Sequence, residues 1–168
     1  MGKWAGIDHG EFSEKTRRIL ERYRRIAMVG VSADTTRPSY RAFCHMKTEG
    51  YRVFPVNPKY TEVSGLPCYP SLLDIPEPVE IVNVFRHPRF VMAILEEALQ
   101  IGAKVFWLQL GIVHEEAARR AEAAGLEVVM DRCVKMEHCR FWGRFSILGL
   151  STGVIHSRRY DSLWVDSV

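Results

Sequence analysis

The residues with chemistry to offer sit in five short stretches. Gly30, Ser32, Arg37, Ser39 and Tyr40 lie within IAMVGVSADTTRPSY, residues 26–40, and Asn57-Pro58-Lys59 follows a second apolar run. Arg86-His87, Gln109 to Gly111 and Asp131-Arg132-Cys133 each follow another. Small hydroxyl residues and a glycine before a helix start, with arginine and lysine nearby, suit an anion. The first turn of a helix has unpaired N–H groups, and its aligned peptide dipoles add partial positive charge, so a phosphate is stabilised there. Arg37, Lys59 and Arg86 would contribute full charges.

The elements that must carry these loops are legible from pattern. Apolar runs at 26–31, 51–56, 80–85, 104–109 and 126–130 read as buried strands, and 66–69 as a short edge strand. Between them, helical spacing predicts a helix from Pro38 or Ser39 to the stop at Gly50. A second opens at His87-Pro88 and stops at Gly102, and a third, alanine-rich, covers 113–124 and ends at Gly125. Residues 13–25 form an N-terminal helix with a basic face interleaved with glutamates, which reads as a solvated surface. Strands alternating with helices imply right-handed crossovers and a parallel sheet covered on both faces. The expectation is one α/β domain over 1–168, doubly wound, with strand order 3-2-1-4-5-6 and the tail 140–168 packed on it. Ligands of such sheets bind at the strands' carboxyl ends where the order reverses, here between 26–31 and 80–85.

A dinucleotide site would need G-x-G-x-x-G in the first loop and an acidic residue closing the second strand. Neither is present. Lys59 at the end of the second strand instead suits a phosphate on the ribose, as in coenzyme A, and allows NADP.

IAMVGVSADTTRPSY, YRVFPVNPKY, CYPSLLDIPEPV, VNVFRHP, KVFWLQLGIVHEEAA and VVMDRCVKMEH, in that order, resemble the small stand-alone coenzyme A-binding proteins, relatives of the nucleotide-binding domain of the succinyl-CoA synthetase alpha subunit. STGVIHSRR in the tail also looks like that family's ending. The resemblance implies a Rossmann-like fold that binds coenzyme A or an acyl-CoA. It puts Gly30, Ser32, Arg37 and Ser39 around the pyrophosphate, with Tyr40 starting the supporting helix. Asn57 and Lys59 would face the adenosine ribose and its 3′-phosphate, Arg86 and His87 the far wall, and Gln109 to Gly111 the floor towards the pantetheine. The synthetase's phosphorylated histidine belongs to a second domain with no counterpart in this sequence, so the reading is a ligand-binding protein with no catalytic residue assigned. An NADP-dependent oxidoreductase, or a regulatory module that responds to coenzyme A, are the alternatives.

Other features weigh less. Lys and Arg exceed Asp and Glu by 23 to 20, a net charge of +3 that is too small for a nucleic-acid-coating protein. No apolar run reaches membrane-spanning length. Cys44, Cys68, Cys133 and Cys139 form no CxxC pair and follow no signal peptide, the pattern of reduced thiols in a cytoplasm. Cys133, His138 and Cys139 match no zinc spacing, so no metal site is expected. Arg132 and Lys135 could favour a Cys133 thiolate, though pairing of Asp131 with Arg132 and packing of Cys133 against the tail is the simpler reading. His87 reads as a helix cap. Trp4, Trp142 and Trp164 would lie on surfaces covered by the termini or by the second subunit of a homodimer.

Overall fold

The computed structural model describes residues 9–142. Strands β1 (Arg25–Val29), β2 (Arg52–Val56), β5 (Ile81–Val84), β6 (Val105–Leu108) and β7 (Glu127–Val129) form one sheet in the order β2-β1-β5-β6-β7. All its neighbours are parallel. The order reverses between β1 and β5, where the sequence placed the crevice.

The expected edge strand at 66–69 takes a different form. Leu66–Pro67 (β4) pairs antiparallel with Glu62–Val63 (β3) in a hairpin of its own, and Tyr69 alone makes a parallel bridge to Val56. Ser64 and Gly65, both at positive φ, make the turn. With Pro67 and Pro70 bracketing it, a longer run beside β2 would lack donors. β2 is thus the sheet's edge strand, which is where its own Pro55 is tolerated.

Successive side chains of a strand point to opposite faces, and the two hydrophobic clusters divide accordingly. Ala27, Val29, Phe106 and Leu108 pack with Val91, Leu95 and Ala98 of α3 (Val91–Gln100) and Ala117, Ala118 and Ala121 of α4 (Glu115–Ala123). Ile26, Met28, Val105 and Trp107 pack on the other face. Their partners are Ile19 and Leu20 of α1 (His9–Arg22), Phe43 and Met46 of α2 (Pro38–Thr48), and Val134 of α5 (Val134–Trp142). Trp107, Phe43 and Phe106 are among the largest side chains fully removed from water, each contributing roughly 1.5–3 kcal/mol relative to exposure.

The N-terminal helix, expected over 13–25, begins at His9, and boundaries near both ends of the described residues differ from expectation. α1 ends at Arg22, because the backbone N–H groups of Arg24 and Arg25 both donate to the Glu80 carboxylate and Arg25 already enters β1. Residues 134–142, of which 140–142 were expected in the tail and the rest were given no element, are a helix. Its buried side includes Glu137 and His138 beside Val134, so the apolar stripe that announces a helix is broken. Glu137 is held there by Thr16 Oγ1 at 2.9 Å and by Arg140 Nη2 at 3.2 Å. The rest of the expected tail, with Trp4, Trp164 and STGVIHSRR, lies outside the described residues.

Where α1 ends, the Tyr51 hydroxyl donates to the Leu20 carbonyl at 2.7 Å. Both groups are buried. Tyr51→Phe keeps the ring and leaves that carbonyl unpaired, so the expected loss of stability is about 1–2 kcal/mol in a urea titration with unchanged slope.

Candidate functional site

β1 stops because Gly30 turns the chain at φ 86°, a left-handed conformation that residues with a β-carbon adopt at a cost. Its N–H still donates to Val56 O at 2.8 Å, so the turn is pinned to the end of β2. A β-carbon built at Gly30 would lie 2.7 Å from Arg86 Cδ and 2.8 Å from Cγ. The glycine therefore admits the stem of Arg86 rather than a helix, and Arg86 goes on to place its guanidinium over the Phe90 ring, 4.4 Å from the centroid.

Beyond Gly30 the first loop is organised by short polar side chains. The Ser32 N–H donates to Ser39 Oγ at 3.2 Å, and Ser32 Oγ accepts from the Asp34 N–H at 3.1 Å and lies 3.4 Å from the Tyr60 hydroxyl. The Asp34 carboxylate accepts from the Thr36 hydroxyl and N–H at 2.7 and 2.8 Å. Those bonds, chiefly the hydroxyl's, lower its pKa. Arg37 is the exposed N-cap of α2 with Pro38 at the first helical position, and no side chain caps that helix start. Tyr40 packs from the first turn onto the core of the α2 face.

Asn57 links the first two loops. It is buried, its amide donates to Val31 O at 2.9 Å, and its side-chain carbonyl accepts the Lys59 N–H at 3.0 Å. Both ends of this side chain are engaged by backbone. Lys59 follows as an exposed residue beside the groove-lining Pro58. After β5, Arg86 faces Gly30, and His87 caps a short 3-10 turn, Pro88–Phe90, through Nδ1, which accepts the Arg89 N–H at 3.2 Å. The capping role expected of His87 is what the geometry shows.

At the end of β6, Gln109 is buried and its amide donates to Asn83 Oδ1, while Asn83 Nδ2 points at Met28 Sδ at 3.1 Å. Gly111, at φ 85°, donates its N–H to Asp131 Oδ1 at 2.7 Å. Asp131 itself adopts φ 57° to reach it. The Asp131 carboxylate thus holds Gly111, and Arg132 Nη1 donates to the Asp131 backbone carbonyl. Burial raises the Cys133 pKa despite Lys135, so the thiol form is favoured. Among the described residues, no group of three or more His, Cys, Asp and Glu is placed to hold a metal ion, and no helix is long and apolar enough to cross a membrane.

Where β1 and β5 end side by side, an open groove of about 180 Å³ is walled by Val29, Gly30, Pro58, Arg86 and Phe90, with Ser71 and Glu97 on its far side. Sequence reasoning named Gly30 and Arg86 for it but missed Phe90, Ser71 and Glu97. Their only signal was position, since they come from a 3-10 turn, a helix cap and a helix flank. Asn83 was also missed, although a lone amide in the apolar run IVNVF was visible.

An open parallel sheet with a glycine turn and a helix start at the reversal of strand order defines a Rossmann-like α/β protein. Residues 24–139 match the model of the CoA binding domain, and the chain belongs to that family. The uncharacterized protein YneT of Bacillus subtilis is 42% identical over 120 residues, which cover 71% of this chain and 89% of YneT. A hypothetical protein of Pyrococcus horikoshii superposes with a TM-score of 0.76 at 44% identity, covering 83% of this chain and 98% of its own. The ADP-forming acetate–CoA ligase II of Archaeoglobus fulgidus is 29% identical over 99 residues, 58% of this chain but only 15% of the ligase.

Gly30→Ala should cost about 1–2 kcal/mol from the left-handed backbone alone, plus whatever Arg86 loses in moving aside. In a double-mutant cycle with Arg86→Ala measured by chemical denaturation, the second contribution disappears and the first remains.

Proposed function

We propose that this protein binds coenzyme A or an acyl-CoA at the carboxyl ends of β1, β2 and β5, with the nucleotide end in the groove between Gly30, Pro58, Arg86 and Phe90. The observation that carries the reading is that groove itself. It opens where the strand order reverses, its walls are apolar enough for a base, and cationic residues stand on the loops that frame it. Membership of the CoA-binding domain family supports the choice of ligand. The unfilled start of α2, with the Ser32–Ser39 loop before it and Arg37 at the cap, receives the pyrophosphate. Lys59 meets the 3′-phosphate. Asn57 serves the site by fixing the backbone of both loops, since its own polar atoms are already taken. Gln109 and Gly111 form the floor on which the pantetheine arm lies, held by Asn83 and Asp131.

The same features argue against a dehydrogenase. A glycine-poor first loop leaves less room for a closely approaching dinucleotide pyrophosphate, and the second strand ends in Asn-Pro-Lys where an acidic residue would accept ribose hydroxyls.

Calorimetric titration with coenzyme A, dephospho-coenzyme A, NADP and NAD tests the reading. Coenzyme A is expected to bind most tightly and dephospho-coenzyme A distinctly less. Binding of NADP in preference to coenzyme A would overturn the assignment. Lys59→Ala is expected to weaken coenzyme A by about 1–3 kcal/mol and to leave dephospho-coenzyme A unaffected, the signature of a charge-assisted contact to the 3′-phosphate.

A further inference from the structure

Away from the groove, on the sheet face that carries α1, α2 and α5, two histidines meet. His45 stands in the last turn of α2, and its Nε2 lies 3.1 Å from Nδ1 of His138 on α5. The Cys139 Sγ approaches the same His45 nitrogen at 3.6 Å. His138 is buried, with its ring 4.8 Å from that of Trp142 and edge-on to Tyr51 at 5.7 Å. α5 thus rests on α2 through a ring-to-ring hydrogen bond, which needs one nitrogen to carry hydrogen and the other to have none. A second proton would set N–H against N–H along the same line.

The surroundings relieve that conflict only in part. Glu49, at the C-cap of α2, faces both rings as an anion, while Lys135 of α5 faces His45 and Arg24, ahead of β1, faces His138. Glu137, the neighbouring carboxylate on α5, is turned to Thr16 and Arg140. Glu21 of α1 pairs with Arg17, the Tyr51 hydroxyl is pushed up to about 12 by burial, and burial also raises the Cys139 thiol. Near neutral pH the Tyr51 hydroxyl and the Cys139 thiol stay uncharged, and the Glu21 carboxylate is paired with Arg17.

We propose that His45 and His138 form a proton-operated latch, which holds α5 against α2 while they share one hydrogen and releases it when both become charged. Burial, and for His138 also His45 itself, lowers both values below the 6.5 of a free histidine. The unfolded or opened chain therefore takes up protons first. The latch is complete above that pH and weakens as the pH falls through it. α5 is continuous with the 131–133 loop, whose Arg132 carbonyl accepts from Trp107 Nε1 at 2.8 Å and whose Asp131 holds Gly111. Loosening α5 consequently loosens the end of β6.

Two measurements on the full chain test this between pH 8 and 5. Ring resonances of His45 and His138 should titrate in two coupled steps, the second at least about one unit below the first. Amide exchange, corrected for intrinsic rate, should show α5 losing roughly tenfold more protection than α3 at the acid end. In His45→Gln the remaining His138 should titrate closer to 6.5, and acid should no longer open α5 selectively. The proposal is overturned if the two rings titrate independently at ordinary values, or if α5 opens only in step with α3. Should the variant fail to fold, the coupled titration and the selective opening of the wild-type chain still decide.

Discussion

The passage of Arg86 across Gly30 is the constraint around which the strand ends are arranged. A left-handed turn without a β-carbon lets the end of β1 and the chain after β5 come together at the one place in the sheet where neighbouring connections leave in opposite directions. The N–H of that same glycine is bonded to Val56, so β2 is drawn into the same corner. Three loops from distant parts of the sequence are thereby brought to one groove. A side chain at position 30 would strain the backbone and displace the arginine together.

Around this corner the protein uses two buried asparagines and the half-buried Asp131 carboxylate as struts. Asn57 ties the first loop to the second, Asn83 connects Gln109 to the strand beside it, and Asp131 reaches back to Gly111. A buried polar group left unpaired is costly, so each strut permits few alternatives in the loop it holds. Loops organised in this way can present backbone N–H groups and cations to a phosphate without a large ordering penalty on binding. Arg37 and Lys59 stay exposed and Ser32 half-buried beside these struts.

Much of this could be read in advance. Apolar runs punctuated by Gly50, Gly102 and Gly125 gave away three of the crossover boundaries, because such runs have only one way to bury both faces. The loops at the strand ends were likewise legible, since proline and glycine confine the backbone locally. Residues 134–142 were not, because their helix buries Glu137 and His138, and a polar residue signals solvent until its partner is known. Thr16 lies 121 positions from Glu137 and His45 lies 93 from His138. Phe90 and Glu97 in the groove, and the bond from Gly111 to the Asp131 carboxylate, were hidden for the same reason, a partner that only folding supplies.

By itself, then, the sequence determined the alternation of strands and helices, the parallel sheet and the side of it on which the basic loops fall. Periodicity and turn chemistry act over a few residues and need no partner. Only the tertiary structure decided which polar atoms remain available. It engaged Asn57 with backbone, placed Arg86 over Gly30 and Phe90, reduced the edge strand to a bridge at Tyr69, and set two histidines against each other. Each of these is a pairing across many residues, and whether a hydrogen-bonding group is satisfied depends on what folding brings to it.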